Sequence, residues 1–222
     1  MNMATNGTAA TAAIARMDTT TVSDALDKLG IAGQCLGIKP LDPGFRIAGP
    51  AFTIRYVPCG THGGTVGDYI DDLPQGTVMV LDNQGRMDAT VWGDILTIVA
   101  TAKKLGGTVI DGVCRDAPRS IELKYPIFAR GSHMRTGKDR VAVDAMQVSI
   151  SIGGVRINPE DFLLGDWDGV VAIPKDRIEQ VAEVATQIEQ AEDRIRAAVE
   201  RGERLDAARK SQGYHALQTK AG

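Results

Sequence analysis

Cysteine is scarce in this chain. Cys35, Cys59 and Cys114 are far apart, odd in number and never in C-x-x-C spacing. That pattern excludes a disulfide framework and a zinc ribbon, and leaves three reduced, mostly buried thiols as the expectation. Histidine is equally sparse: His62, His133 and His215 form no H-E-x-x-H or similar cluster, so a histidine-rich zinc site is not expected. There is no excess of basic charge. A formal net charge of −3 argues against a general nucleic-acid or membrane-surface binder. An anionic ligand would therefore need a local cationic spot. No apolar run reaches the length that spans a bilayer. The opening MNMATNGTAATAAIARM lacks the basic segment and apolar core of a secretory signal. The expectation is a cytoplasmic protein with no membrane and no nucleic acid among its partners.

What is present reads as an ordinary globular α/β chain. Hydrophobic residues make up 43% and charged residues 24% of 222 positions, enough to bury a substantial core. Residues 1–17 are Ala/Thr/Asn-rich and expected to fray, with a helical part. TTTVSDALDKLGIAG predicts a short helix closed by Gly30, and RIAGPAFTIRYVP a strand. Gly63-Gly64 faintly resembles a phosphate-cradling loop, but no Gly-Lys-Ser/Thr follows. The centre is clearest. TVMVLD (77–82) and TVIDGV (108–113) are buried strands, residues 83–93 read as a polar loop, and DILTIVATAKKL (94–105) is a helix. Strand, helix, strand at these lengths makes a βαβ unit with parallel strands. Two hairpins follow, one turning at Gly153-Gly154 and one at an Asp-Gly turn. From Lys175 to about Arg201 a long helix carries an apolar stripe of Ile178, Val181, Ala185, Ile188, Ile195 and Val199. Glu192 interrupts that stripe. The organisation expected is a flexible 1–17, an α/β domain over 18–174, and a C-terminal helix and tail over 175–222 that seats on a neighbouring subunit.

The parallel unit brings chemistry together. Asp94 opens the helix, and Arg115-Asp116 stands just past the second strand, so topology delivers all three to one sheet edge. The first main-chain amides of the helix, those of Asp94, Ile95 and Leu96, point at the same spot and suit an anion. One arginine, one helix N-terminus and two carboxylates fit a carboxylate-bearing ligand beside a hard divalent cation, Mg²⁺ or Mn²⁺. Each residue also has an ordinary structural role: Asp94 as a cap or first-turn residue, Arg115–Asp116 as a surface ion pair, and Glu192 as an i,i+4 partner of Arg196. Convergence on one edge favours the ligand site.

Asp94, twenty residues, then Arg115-Asp116 resembles the D-x20-R-D signature of the RraA-like family, which includes class II 4-hydroxy-4-methyl-2-oxoglutarate/4-carboxy-4-hydroxy-2-oxoadipate aldolases. The stretches WGDILTIVATAKKLGGTVIDGVCRD, PIFARG, SISIGGVRINPEDFLLGDWDGVVAIP and EDRIRAAVERGE follow in family order. The resemblance implies a swivelling β/β/α sandwich with mixed sheets and a C-terminal helical extension, assembled as a homotrimer or homohexamer. It implies Asp116 as metal ligand and Asp94 as holder of a metal-bound water. Arg115 and the amides of Asp94, Ile95 and Leu96 would bind the pyruvyl group, and Lys138 the second carboxylate of a 2-oxo diacid. Glu192 would reach in from a neighbouring subunit to assist proton transfer. The implied activity is cleavage of a 4-hydroxy-2-oxo diacid to pyruvate and a keto acid, with oxaloacetate decarboxylation as side activity. Two departures from the family pattern, Pro118/Arg119 and Met134, fall beside the implied substrate end. The alternative is a non-catalytic RraA-like regulator that binds a ribonuclease or other protein; the C-terminal extension carrying Glu192 favours the enzyme. A methyltransferase reading finds no glycine-rich S-adenosylmethionine site.

Overall fold

The computed structural model describes residues 3–60 and 66–214. His62, Gly63-Gly64 and His215, singled out above, lie outside the described residues. The chain divides into two units, one of residues 1–33 with 176–222 and one of residues 34–175.

The first unit is helical. Helix α1 spans Met3–Ile14, where a mostly frayed segment with a helical part is expected, and α2 spans Thr19–Lys28. Both pack on a long C-terminal helix, Ile178–Glu200, within the same unit. Residues 18–33, grouped with the α/β domain by sequence pattern, therefore belong with the C-terminal helix. The buried seam of that helix runs Val181, Ala185, Ile188, Ala191, Ile195 and Ala198. This corrects the predicted stripe. Val199 is exposed, and the small residues Ala191 and Ala198 occupy the seam in place of positions 192 and 199. Strict attention to bulky residues misses alanine as a core residue, although alanine lets a neighbouring helix approach closely.

The second unit is the α/β body. In chain order it holds β1 (Gln34–Cys35), β2 (Lys39–Pro40), β3 (Ile47–Pro58), β4 (Val78–Thr90), α3 (Asp94–Ala102), β5 (Gly107–Cys114), α4 (Ala117–Glu122), β6 (Ile127–Ser132), β7 (Val141–Met146), the hairpin β8 (Ile150–Ile152) and β9 (Val155–Ile157), and the hairpin β10 (Phe162–Asp166) and β11 (Gly169–Ile173). The C-terminal helix described above is α5, and α6 spans Leu205–Ser211. Among the described residues, nine strands form one mixed sheet in the order β1-β11-β10-β3-β4-β5-β6-β2, with β7 on β3. The long β3 pairs antiparallel with β10 through its first residues, parallel with β4 through Ala51–Arg55, and antiparallel with β7 through its end.

Strand alternation builds the layers. Val78 and Val80 face a core shared with the β8–β9 hairpin (Ile150, Ile152, Val155, Ile157), while Met79 and Leu81 face one shared with Ala100 of α3. One sheet thus buries both faces, as a parallel centre requires. The predicted βαβ unit is present, β4 and β5 pairing parallel from Val78↔Gly107 onward. A second parallel step, β5 to β6 through the six-residue α4, carries too short a helical pattern to be read from sequence.

Residues 83–90, expected as loop, continue β4. The register jumps from Asp82↔Asp111 to Arg86↔Gly112 and then to Thr90↔Val113, so extra residues bulge out and erase the period-two pattern. Gln84 and Gly85 take positive φ there, 56° and 67°. Gly112, with φ 155°, lets the strands close: a Cβ would lie 3.1 Å from both the Arg86 carbonyl and Asn83 Cβ. No described helix is long and apolar enough to cross a membrane.

Candidate active site

The site begins where β4 and β5 end. The Arg115 N–H donates to the Trp92 carbonyl (3.0 Å), fixing the exit of β5 against the segment that leads into α3. Trp92 is itself held from behind. Its ring stacks on Tyr125 with centroids 6.0 Å apart, and its Nε1–H donates to Thr97 Oγ1 (3.0 Å). Gly93 follows in extended backbone, and α3 starts at Asp94.

Asp116 adopts a left-handed backbone (φ 57°, ψ 34°) as it turns into α4. Aspartate tolerates this region better than most residues, but it remains unfavourable for a side chain bearing Cβ. The turn places Asp116 Oδ2 3.3 Å from Arg115 Nε and 3.3 Å from the Asp94 N–H, which donates to it. The Ile95 N–H donates to Asp94 Oδ1 (2.9 Å). Two of the three helix-start amides expected to await an anion are therefore already engaged by carboxylates of the chain itself. Gly93 makes room for the cluster: a Cβ there would sit 3.0 Å from Asp116 Oδ2 and 3.2 Å from Arg115 Nε.

Asp94, Ile95, Leu96, Arg115 and Lys138, all predicted from sequence, line one cleft of about 410 Å³. Asp116 adjoins it through Arg115 and the Asp94 amide. Arg115 and Asp116 are 39% and 42% exposed, so their ion pair contributes only about 0–1 kcal/mol to stability. Ion-pair strength is thus a weak reason for the left-handed turn. The cleft also receives Asp68 and Asp71 from the segment after β3, and Thr136 from the β6–β7 connection. Sequence reading missed these three. The acidic run GDYIDD was the available signal, but nothing in its pattern ties it to the βαβ edge.

The remaining predicted residues lie elsewhere. Glu192, on α5, belongs to the helical unit; Arg196 Nη1 donates to its Oε2 (3.3 Å) and the Tyr214 hydroxyl to its Oε1 (3.4 Å). Arg119 pairs with Glu122 (2.6 Å), and Met134 is 82% exposed; neither these nor Pro118 lines the cleft. His133 Nδ1 accepts the Arg135 N–H (3.0 Å). Cys114 directly precedes Arg115, but burial pushes its thiol up to about 11, so it is protonated at neutral pH and a poor nucleophile.

The donor set bears on a metal. Among the described residues no group of three or more His, Cys, Asp or Glu could hold one, which argues against a closed protein cage. Two partly exposed carboxylates, Asp94 and Asp116, fit a hard cation such as Mg²⁺ or Mn²⁺, which takes one or two carboxylates and keeps water or substrate oxygen in the other positions.

The family model RraA-like (Aldolase/RraA) matches residues 19–172. The chain belongs to the RraA-like family. Protein DlpA of Legionella pneumophila is 43% identical over 196 residues, covering 87% of this chain and 32% of its own length, so the chain spans about a third of that relative. A relative from Halalkalibacterium halodurans, provisionally named a 4-hydroxy-4-methyl-2-oxoglutarate aldolase, is 36% identical over 178 residues, 80% of this chain and 82% of its own. The crystal structure of an uncharacterized protein from Pseudomonas syringae pv. tomato superimposes with a TM-score of 0.85 at 42% identity, covering 91% of this RraA-like chain and 97% of its own.

Proposed function

We propose that the chain is a divalent-cation-dependent pyruvate aldolase, a carbon–carbon lyase that cleaves a 4-hydroxy-2-oxo acid to pyruvate and a carbonyl compound. The observation that carries this reading is the meeting of Arg115, Asp116 and the start of α3 at one cleft, with Asp116 held in a left-handed turn. The provisional name of the Halalkalibacterium relative points to the same reaction class.

In this reading the Arg115 guanidinium holds the carboxylate and 2-oxo oxygen of the substrate, and the Leu96 amide borders the same group, while the Asp94 and Ile95 amides hold the carboxylates of Asp116 and Asp94 in place. Asp116 would hold Mg²⁺ or Mn²⁺, which supplies Lewis-acid polarisation of the 2-oxo group. Asp94 orients a water that takes the proton from the C4 hydroxyl. The C3–C4 bond breaks, C4 becomes a carbonyl, and the bonding electrons pass into the enolate of pyruvate. Arg115 stabilises the charge developing on the enolate oxygen. A proton delivered to C3 completes pyruvate. Oxaloacetate reaches the same enolate by losing carbon dioxide, so its decarboxylation is the expected side activity. Glu192, supplied by a second copy in a homotrimer or homohexamer, is proposed to assist the proton transfers.

The test is pyruvate release from 4-hydroxy-2-oxo acids and from oxaloacetate, with Mg²⁺ or Mn²⁺ and then with excess chelator. Release that chelator abolishes and added cation restores supports the reading. Release untouched by chelator removes the cation from it, and no release from any acid turns the assignment toward a non-catalytic regulator.

A further inference from the structure

The peptide groups on either side of Gly93 face both members of the Arg115–Asp116 pair. On one side the Trp92 carbonyl accepts the Arg115 N–H (3.0 Å). On the other the Asp94 N–H donates to Asp116 Oδ2 (3.3 Å). Glycine does not hold such a linkage by itself, because it loses more conformational freedom than any other residue when fixed in one conformation. A tie from outside is needed, and Thr97, in the first turn of α3 and 1% exposed, supplies one. The Trp92 Nε1–H donates to Thr97 Oγ1 (3.0 Å), and Thr97 Oγ1 donates to the Gly93 carbonyl (3.0 Å). An indole N–H can only donate, so the hydroxyl accepts there and its single proton is left for Gly93.

These bonds have one direction and close a ring from the Trp92 side chain to the Gly93 main chain. A peptide group is planar, so fixing the Gly93 carbonyl also fixes the Asp94 N–H on the opposite side of the same plane, the group that meets Asp116. Holding the Trp92 ring, which stacks on Tyr125, anchors the residue whose carbonyl meets Arg115. The main-chain bond from the Thr97 N–H to the Gly93 carbonyl (3.1 Å) would form with any residue at this position. The threonine adds the hydroxyl, at some cost in helix propensity. Thr101, one turn further on, donates in the same way to the Thr97 carbonyl (2.7 Å), and that bond serves the helix main chain alone. We propose that Thr97 is a positioning residue for the cleft: through Trp92 and Gly93 its hydroxyl fixes the two peptide planes that seat Arg115 and Asp116. The proposal rests on the pyruvate-aldolase reading above.

The experiment measures kcat and KM for pyruvate release, with Mg²⁺ or Mn²⁺, in variants of the full chain. Thr97→Val keeps the shape and removes the hydroxyl; kcat should fall by about tenfold, because small misplacements act on rate. KM should stay within about twofold, since the long Arg115 side chain can still find a bound carboxylate. Thr97→Ser restores the hydroxyl and should return kcat to within about twofold of the unsubstituted protein, and Thr101→Val should match it. Trp92→Phe keeps a ring beside Tyr125 but has no indole N–H, and should lower kcat as Thr97→Val does; it carries the test alone if Thr97→Val fails to fold. Adding Thr97→Val to Trp92→Phe should cost less than about threefold more, because the two side chains act as one unit. Normal kcat in Thr97→Val and Trp92→Phe, or an equal loss in Thr97→Ser or Thr101→Val, overturns the inference and leaves the reaction class standing. So does a rise in KM in place of the fall in kcat, or full multiplication of the two single effects in the double variant. No pyruvate release from the unsubstituted protein overturns the reaction class, and this role of Thr97 with it.

Discussion

Two acidic residues, Asp116 and Glu192, have the same implied importance and opposite structural settings. Asp116 sits in a left-handed turn, an arrangement unfavourable for its backbone, and its ion pair with Arg115 is too exposed to offset much of that. Glu192 sits on a regular helix with both carboxylate oxygens satisfied, by Arg196 one turn away and by Tyr214. A residue held in unfavourable backbone that its contacts do little to offset is a candidate for function. A residue whose surroundings already explain it gives no such signal. The difference makes the strand-end cluster the better-supported candidate for chemistry, whereas the helix position needs an independent test.

The sharpest way to break this comparison is Asp116→Ala. Turnover measured by pyruvate release should fall by about a hundred- to thousandfold, with far-ultraviolet circular dichroism unchanged. Asp116→Gly should lose activity to a similar degree yet keep stability within about 1 kcal/mol in urea denaturation, because glycine accepts the left-handed backbone freely. A glycine variant that keeps near-normal turnover would remove Asp116 from the site.

Arg115→Lys separates geometry from charge. Lysine preserves the positive charge but cannot present the planar fork that meets a carboxylate at two points. A drop of about a hundredfold in kcat/KM is expected, with KM rising. Retention of activity would mean that a simple point charge suffices.

Glu192→Gln tests the other side of the comparison. It keeps the shape and weakens one i,i+4 pair, so stability should change by no more than about 0.5 kcal/mol. If the carboxylate assists proton transfer, kcat should fall by about ten- to a hundredfold with KM unchanged. Mixing Glu192→Gln with Arg115→Ala chains should restore part of the activity, since one site of a mixed assembly regains both residues. Normal kcat would leave Glu192 as a structural partner of Arg196.

The contrast also explains what could be read in the sequence. Topology placed Asp94, Arg115 and Asp116 together because strand–helix–strand chirality leaves one edge for all three. The continuation of β4 through residues 83–90 was hidden because its bulges destroy alternation. Asp68 and Asp71 escaped notice because their approach to the cleft depends on a long, irregular connection with no period. On α5, bulky residues suggested a seam with Glu192 missing from it, whereas the buried line passes through Ala191 and Ala198.

Gly93 offers the mildest test of how closely the strand-end cluster is fitted. Its φ of −147° is one that any residue adopts, so Gly93→Ala introduces no backbone strain. What it introduces is a methyl group 3.0 Å from Asp116 Oδ2 and 3.2 Å from Arg115 Nε, tighter than normal contact for both. Both side chains are partly exposed and can shift by a few tenths of an ångström, so stability should hardly move. Their alignment should not survive that shift unchanged. Turnover is expected to fall by about tenfold, since small misplacements of positioning groups act directly on rate. A fully active, fully stable Gly93→Ala protein would show that the cluster tolerates looseness, and would bring Asp116 closer to the ordinary setting of Glu192.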